Sequence, residues 1–75
     1  MIRATMFDTI VEVEILANSI SEFAEDLSKV KAIEAKDRVF DDNRKVWRIS
    51  NPHKYKHISF IQKALENRAR QYELF

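Results

Sequence analysis

The 75-residue sequence predicts an α+β domain in the order β-α-β-β-α, a small three-stranded sheet with two helices laid on one of its faces. Three observations lead there. Apolar and polar residues alternate through FDTIVEVEI, the period of two of a half-buried strand. Apolar residues recur at helical spacing after Ser19 and again after Ile58. Between those two segments, β-branched and aromatic residues fall on either side of DDNR, a stretch whose Asp and Asn side chains suit a turn.

In the first strand Phe7, Thr9, Val11, Val13 and Ile15 share one face, with Asp8, Ile10, Glu12 and Glu14 on the other. Asp8, Glu12 and Glu14 are therefore expected in solvent, opposite Val11 and Val13 and away from any basic surface. Next, Ser19 and Glu22 have the spacing of a capping box, and Ile20, Phe23, Ala24, Leu27 and Val30 make the apolar stripe of a helix of about three turns. A hairpin follows, with strands at 32–40 and 45–50. Glycine is absent from the whole chain, so Asn43 is the residue expected at positive φ. Asn51 and Pro52 end the hairpin, and a last helix from about Ile58 carries Ile58, Ile61, Leu65 and Tyr72 on one stripe, beside Phe60 and Ala64.

The length confines the chain to one domain, residues 1–75, with nearly all its apolar positions committed to one core and little left to line a deep substrate cavity. No small-molecule substrate is expected. The lack of cysteine removes disulfides, thiolate chemistry and cysteine-bound zinc. No apolar run reaches the length of a membrane span, and acids interrupt the first sixteen residues where a signal peptide needs an apolar stretch, so the expectation is a soluble, cytoplasmic protein without a membrane partner. The formal net charge of +1 hides an asymmetry. Residues 1–27 hold one base against six acids, net −5, and the remainder holds twelve bases against six acids, net +6. Such segregation either places a positive field on one face, suited to phosphate or to an acidic protein, or is cancelled within the fold.

Catalytic patterns are missing. Ser19 and Ser21 are accounted for by capping, Glu12 and Glu14 by solvation of a strand face, and neither histidine has a relay context. His53 and His57 have the i, i+4 spacing of zinc ligands, but no third ligand accompanies them and lysines flank them, so no metal and no cofactor is expected. The expectation is a protein that is not an enzyme.

The binding signal is stronger. Arg38, Arg44, Lys45, Arg48, Lys54 and Lys56 fall within nineteen positions, with Phe40, Trp47 and Tyr55 among them, a mixture able to neutralise phosphates and stack on unpaired bases. The other reading of the same residues puts Phe40 and Trp47 in the core and the bases on a solvated surface broken by Asp37, Asp41 and Asp42. The stretch from Lys31 to Tyr55 resembles the HARP-like accessory module found beside the motor in SNF2-type and related superfamily-2 DNA helicases. Lys31, Ile33, Arg38, Phe40 and Asp41, then Lys45, Trp47, Arg48 and Ile49, carry the resemblance, whereas the glycine usual before the arginine is missing from Glu34–Asp37. The resemblance implies contact with DNA or with a helicase through the hairpin. It does not imply ATP hydrolysis, because there is no GK[ST] loop. At the C-terminus QYELF resembles the sliding-clamp-binding motif of bacterial replication and repair proteins, on Gln71, Glu73, Leu74 and Phe75. In that motif Leu-Phe fills an apolar pocket, so residues 71–75 are a candidate interaction peptide with Gln71, Leu74 and Phe75 as its anchors. The competing reading is a packed helix end that continues through Tyr72 and Phe75.

Two functions follow from these residues. One is a small, non-enzymatic accessory protein of DNA replication or repair, of the kind phages carry, that contacts nucleic acid or a replication complex. The other is a pure protein-interaction module, an adaptor or inhibitor of a host replication factor, that binds no nucleic acid.

Overall fold

The computed structural model describes the backbone of residues 1–73 and the side chains of residues 1–67. It is an α+β fold with two helices and a four-stranded antiparallel sheet, one strand more than expected. The strands are β1 (Ile2–Phe7), β2 (Ile10–Ile15), β3 (Arg38–Asp41) and β4 (Val46–Ile49), in the spatial order β1-β2-β4-β3. The helices are α1 (Ile20–Val30) and α2 (Ser59–Glu73), and short 3₁₀ turns span Ala35–Asp37 and Pro52–Tyr55.

The extra strand arises because the alternating segment is bent rather than straight. Phe7 pairs with Ile10 across a two-residue turn, and Asp8 takes φ 55°, the left-handed position that a tight hairpin needs at its first central residue. Asp tolerates this conformation better than most side chains, which lets a chain without glycine turn here. The turn moves Phe7 to the face opposite Val11, where it is half exposed, while Ile2, Ala4 and Met6 join Val11, Val13 and Ile15 on the core side.

Core formation follows from the register. Val13 stands opposite Trp47 and Val11 opposite Ile49, and these share one face of the sheet. Val30 of α1 and Phe60, Ile61 and Ala64 of α2 pack on that face, together with Ile33 and Tyr55. Both helices therefore lie on one side. Each fully buried aliphatic side chain here contributes about 1.5–3 kcal/mol relative to exposure, which matters in so small a domain.

Three expectations about the hairpin change. Residues 32–37 are not strand: Ile33 is buried, Ala35–Asp37 form a 3₁₀ turn, and pairing begins only at Arg38. The second strand starts at Val46, not Lys45. The left-handed residue is Lys45, at φ 57°, not Asn43. Asp41 pairs with Val46 around a four-residue loop, and the Asp41 carboxylate accepts the backbone N–H groups of Asn43 and Arg44 at 3.0 and 3.2 Å. That carboxylate fixes the start of the turn, so the left-handed step falls at its last residue.

The cap of α1 is as expected at Ser19, whose hydroxyl accepts from Glu22 N–H at 3.1 Å. Its stripe is not. Ile20 is 90% exposed and Phe23 46%, while the buried positions of the helix are Asp26 and Val30. Asp26 and Glu22 both bind the Met1 ammonium, at 2.6 and 2.8 Å, which draws the acidic side of α1 toward the start of β1 and leaves its first apolar turns open to solvent. Of the last helix's stripe, Ile61 is buried and Ile58 and Leu65 are half-buried. The side chains of Gln71 and Tyr72, and Leu74 and Phe75 altogether, lie outside the described residues, so both readings of the C-terminal pentapeptide stand.

Replacing Asp8 by glycine should leave the fold as stable as before or up to about 1 kcal/mol more stable, because a left-handed side chain is removed at the cost of some backbone entropy. Asp8→Val should destabilise by about 1–2 kcal/mol, since a β-branched residue is poorly tolerated at positive φ. Urea unfolding of the two variants checks both signs.

Candidate nucleic-acid interface

Strand register sorts the seven candidate nucleic-acid residues onto different surfaces. Arg38 and Trp47 lie on the helix side of the hairpin, since Arg38 stands opposite Ile49 and Phe40 opposite Trp47. Arg48 lies on the open side of the sheet, opposite Glu12 in β2. Arg44, in the loop, also reaches the open side and bonds the Glu12 carboxylate at 2.7 Å. Lys54 is far from the hairpin tip, in the 3₁₀ turn after β4, where its ammonium sits 3.0 Å from Glu34 and 3.6 Å from Asp37. Lys56 lines a groove of about 350 Å³ with His53, Gln62, Leu65 and Glu66. The sequence cluster is thus one prong with cations on both faces, plus a separate pair of lysines.

On the open face acids and bases stand side by side. Arg3 stands opposite Glu14, and Glu12 lies between Arg48 and the incoming Arg44. Glu12 is only 8% exposed, which overturns its expected place in solvent: Arg44 folds over it, and Val46 beside them is also buried. The expectation holds for its side of the strand and fails for its isolation from the basic residues. In this pair the acidic and basic parts of the chain do meet.

The helix side is different. Phe40 and Trp47 pack in a tilted arrangement with centroids 5.1 Å apart at 57°, and the Arg38 guanidinium lies over the indole at 5.6 Å while its Nε donates to the Ile33 carbonyl at 2.9 Å. Trp47 is half-buried and packs against the core, whereas Phe40 is 42% exposed. Trp47 is therefore partly core, as one reading of these aromatics has it, and Phe40 is a surface residue. Toward the tip, Trp47 and Phe40 line a groove of about 260 Å³ with Ile15, Lys45 and Phe23. Phe23 reaches it because α1 turns its acidic side toward β1. Nothing in the helical spacing marked this residue as a surface one. Lys45 at the mouth is held by Asp42 at 2.8 Å, an exposed pair of the kind that opens at little cost.

A polar network secures the base of the hairpin. The Asp37 carboxylate accepts from the Tyr55 hydroxyl and from Asn51 Nδ2 at 3.0 Å, and its backbone carbonyl accepts Ser50 N–H at 2.8 Å. Asn51 is left-handed at φ 52°, so the chain leaves β4 through a sharp corner that this side chain locks. The Tyr55 hydrogen bond, and then Asn51, hold the Asp37 carboxyl below its usual 3.8. Burial, and then the bond to Asp37, raise the Tyr55 hydroxyl above its usual 10.0. Lys54 is raised, and Glu34 lowered, by the hydrogen bond between them. Among the described residues, no buried side-chain polar atom lacks a partner and no cluster of three or more metal-ligating side chains occurs. No helix among them is long and apolar enough to cross a membrane.

Comparison with protein families, with characterised proteins and with solved structures finds no match to this chain.

The network sets a pH dependence. The folded Asp37 takes up its proton at a lower pH than the unfolded one, so its stabilisation is complete above about pH 4 and is lost as the pH falls through the folded value. Tyr55 works in the opposite direction: its contribution is complete below about pH 10 and is lost as the pH rises through its raised value. Thermal melts across pH should show Tm falling at both ends. Asp37→Asn should lower Tm near neutrality by roughly 5–10 °C and flatten the acid limb, whereas an unchanged acid limb would contradict the assignment.

Proposed function

We propose that this protein is a small, non-enzymatic, cytoplasmic accessory factor of DNA metabolism that contacts nucleic acid with its β3–β4 hairpin. One observation carries the reading: the hairpin presents an aromatic pair, Phe40 and Trp47, between Arg38 and Lys45 on one face, and carries Arg44 and Arg48 on the other. Aromatic faces beside cations can hold bases while the cations meet phosphates. The resemblance of residues 31–55 to the HARP-like helicase-associated module supports the same reading. A helicase is the protein partner that this resemblance suggests, and a sliding clamp is the one suggested by Gln71, Leu74 and Phe75 in the replication or repair setting. Lys54, held by Glu34 and Asp37, and Lys56, beside the groove of His53 and Gln62, lie apart from this surface.

A protein-interaction module without nucleic acid is the second reading, favoured by the bare apolar start of α1, where Ile20 is 90% exposed beside Phe23. A surface of that kind suits a protein partner, such as a host replication factor targeted by a phage-type adaptor or inhibitor.

Salt titration separates the two. Binding to DNA should weaken steeply as salt rises. Because Arg44 neutralises the buried Glu12, the charge-removing variant should combine Arg44→Gln, Lys45→Gln and Arg48→Gln with Glu12→Gln, which keeps the open face from stranding a carboxylate. This variant should fold, and the slope of log affinity against log salt should drop by about one for each phosphate that its missing cations no longer neutralise. Unchanged DNA affinity, or no DNA binding at low salt by the native chain, would leave the protein-interaction module.

A further inference from the structure

We infer that the groove between α1 and the hairpin tip is a base-stacking site, which receives one unpaired nucleobase against Phe23, Phe40 and Trp47. This rests on the nucleic-acid reading above and adds to it a ligand class and a residue, Phe23, from outside the hairpin. Strand register sets the arrangement. Arg38 covers Trp47 from the side of Ile49, because Arg38 pairs with Ile49 and lies two residues along β4 from the indole. The groove lies in the other direction along the strand, toward Ile15 and Lys45. One side of the indole is thus taken by a cation, and the other looks into a recess walled by Phe23 and Phe40.

The composition of the recess decides its occupant. Its walls are aromatic and aliphatic, which suits a flat, weakly polar ring. Lys45 stands at its mouth, on the left-handed residue that ends the hairpin loop, and the Arg38 guanidinium lies beside Trp47. A ligand that is flat and apolar in its body and anionic on its flank matches both features, and a nucleotide in a single strand has that form. A base in a duplex does not, because its faces are covered by its neighbours and it reaches such a recess only after unstacking. Phe23 and Phe40, 46% and 42% exposed, are held at a free surface by α1 and β3 without contributing to the core. That arrangement leaves aromatic area available at little cost to folding.

Trp47 is the single tryptophan of the chain, so its fluorescence reports on the recess directly. The test compares three probes on the full chain at low salt: oligothymidine, an oligomer of equal length made of abasic sites, and a blunt duplex. Oligothymidine should quench Trp47 and bind about tenfold more tightly than the abasic strand, the margin expected for one stacked base. The duplex should bind through its phosphates without quenching. Phe23→Ala should remove the advantage of the base-bearing strand. Phe23→Leu, which keeps the apolar bulk and so the local packing, should remove it as well if the aromatic face is what matters. Equal affinity for oligothymidine and the abasic strand, with Trp47 unaffected, would overturn the stacking site and leave hairpin contact with phosphate intact. Absence of binding by all three probes would overturn both.

Discussion

The carboxylate of Asp37 is the point on which the rest of the structure depends. It sits where the 3₁₀ turn ends and β3 begins, and the residue gathers three later parts of the chain: the Ser50 amide on its backbone, then the Asn51 amide and the Tyr55 hydroxyl on its side chain. Each bond constrains something larger. The Ser50 bond extends the β3–β4 ladder by one pair, the Asn51 bond locks a left-handed corner in a chain with no glycine to place there, and the Tyr55 bond orients the segment that leads into α2. A carboxylate with all its partners in place is stable in so dry a position, and one left unpaired is not. The hairpin, the turn and the entry to the last helix are therefore specified together.

A second constraint comes from the opposite end of the chain. Glu22 and Asp26 hold the Met1 ammonium, and the first turns of the α1 stripe, with Ile20 and Phe23, are consequently turned away from the core. Of that stripe only its end, Val30, joins the core, which Ile33 and the residues of α2 complete. Phe23 of that stripe faces the hairpin tip. The groove is thus a consequence of how the helix is oriented, and one of its aromatic walls, Phe23, is a residue that helical periodicity would assign to the interior. On the other face of the sheet Arg44 pairs with Glu12, and Arg48 and Arg3 stand across the strands from Glu12 and Glu14, so that face mixes the two signs rather than presenting a field of one.

Much of this was legible in the residues. Val11 to Ile15, the Ser19 cap, the hairpin around DDNR and the onset of the last helix follow from periodicity and turn chemistry, and the α+β class with both helices on one face follows from them. β1 was not legible, because Arg3, Ala4 and Thr5 dilute its alternation and because the turn after Phe7 uses Asp8 where glycine usually announces a hairpin. Lys45 was missed as the left-handed residue because the loop length, which places that step, depends on which residues pair. The burial of Glu12 needed Arg44, thirty-two residues away, to be placed over it. Phe23 illustrates the general reason: spacing tells which residues share a face, but the direction that face takes is set by contacts distant in sequence, here with Met1.

In the proposed complex the nucleobase enters the helix-side recess of the hairpin and its phosphates meet the hairpin's cations, while the Arg3–Glu14 edge of the sheet and the Lys54–Lys56 region stay free. An amide NMR titration of the full chain with a short single-stranded oligonucleotide tests this most directly. The Trp47 indole N–H and the amides of Phe23, Phe40 and Lys45 should shift first and furthest, while Arg3, Glu14 and Gln62 stay in place. Shifts centred on Arg3 and Glu14, or on His53 and Gln62, or no shifts at all, would contradict it.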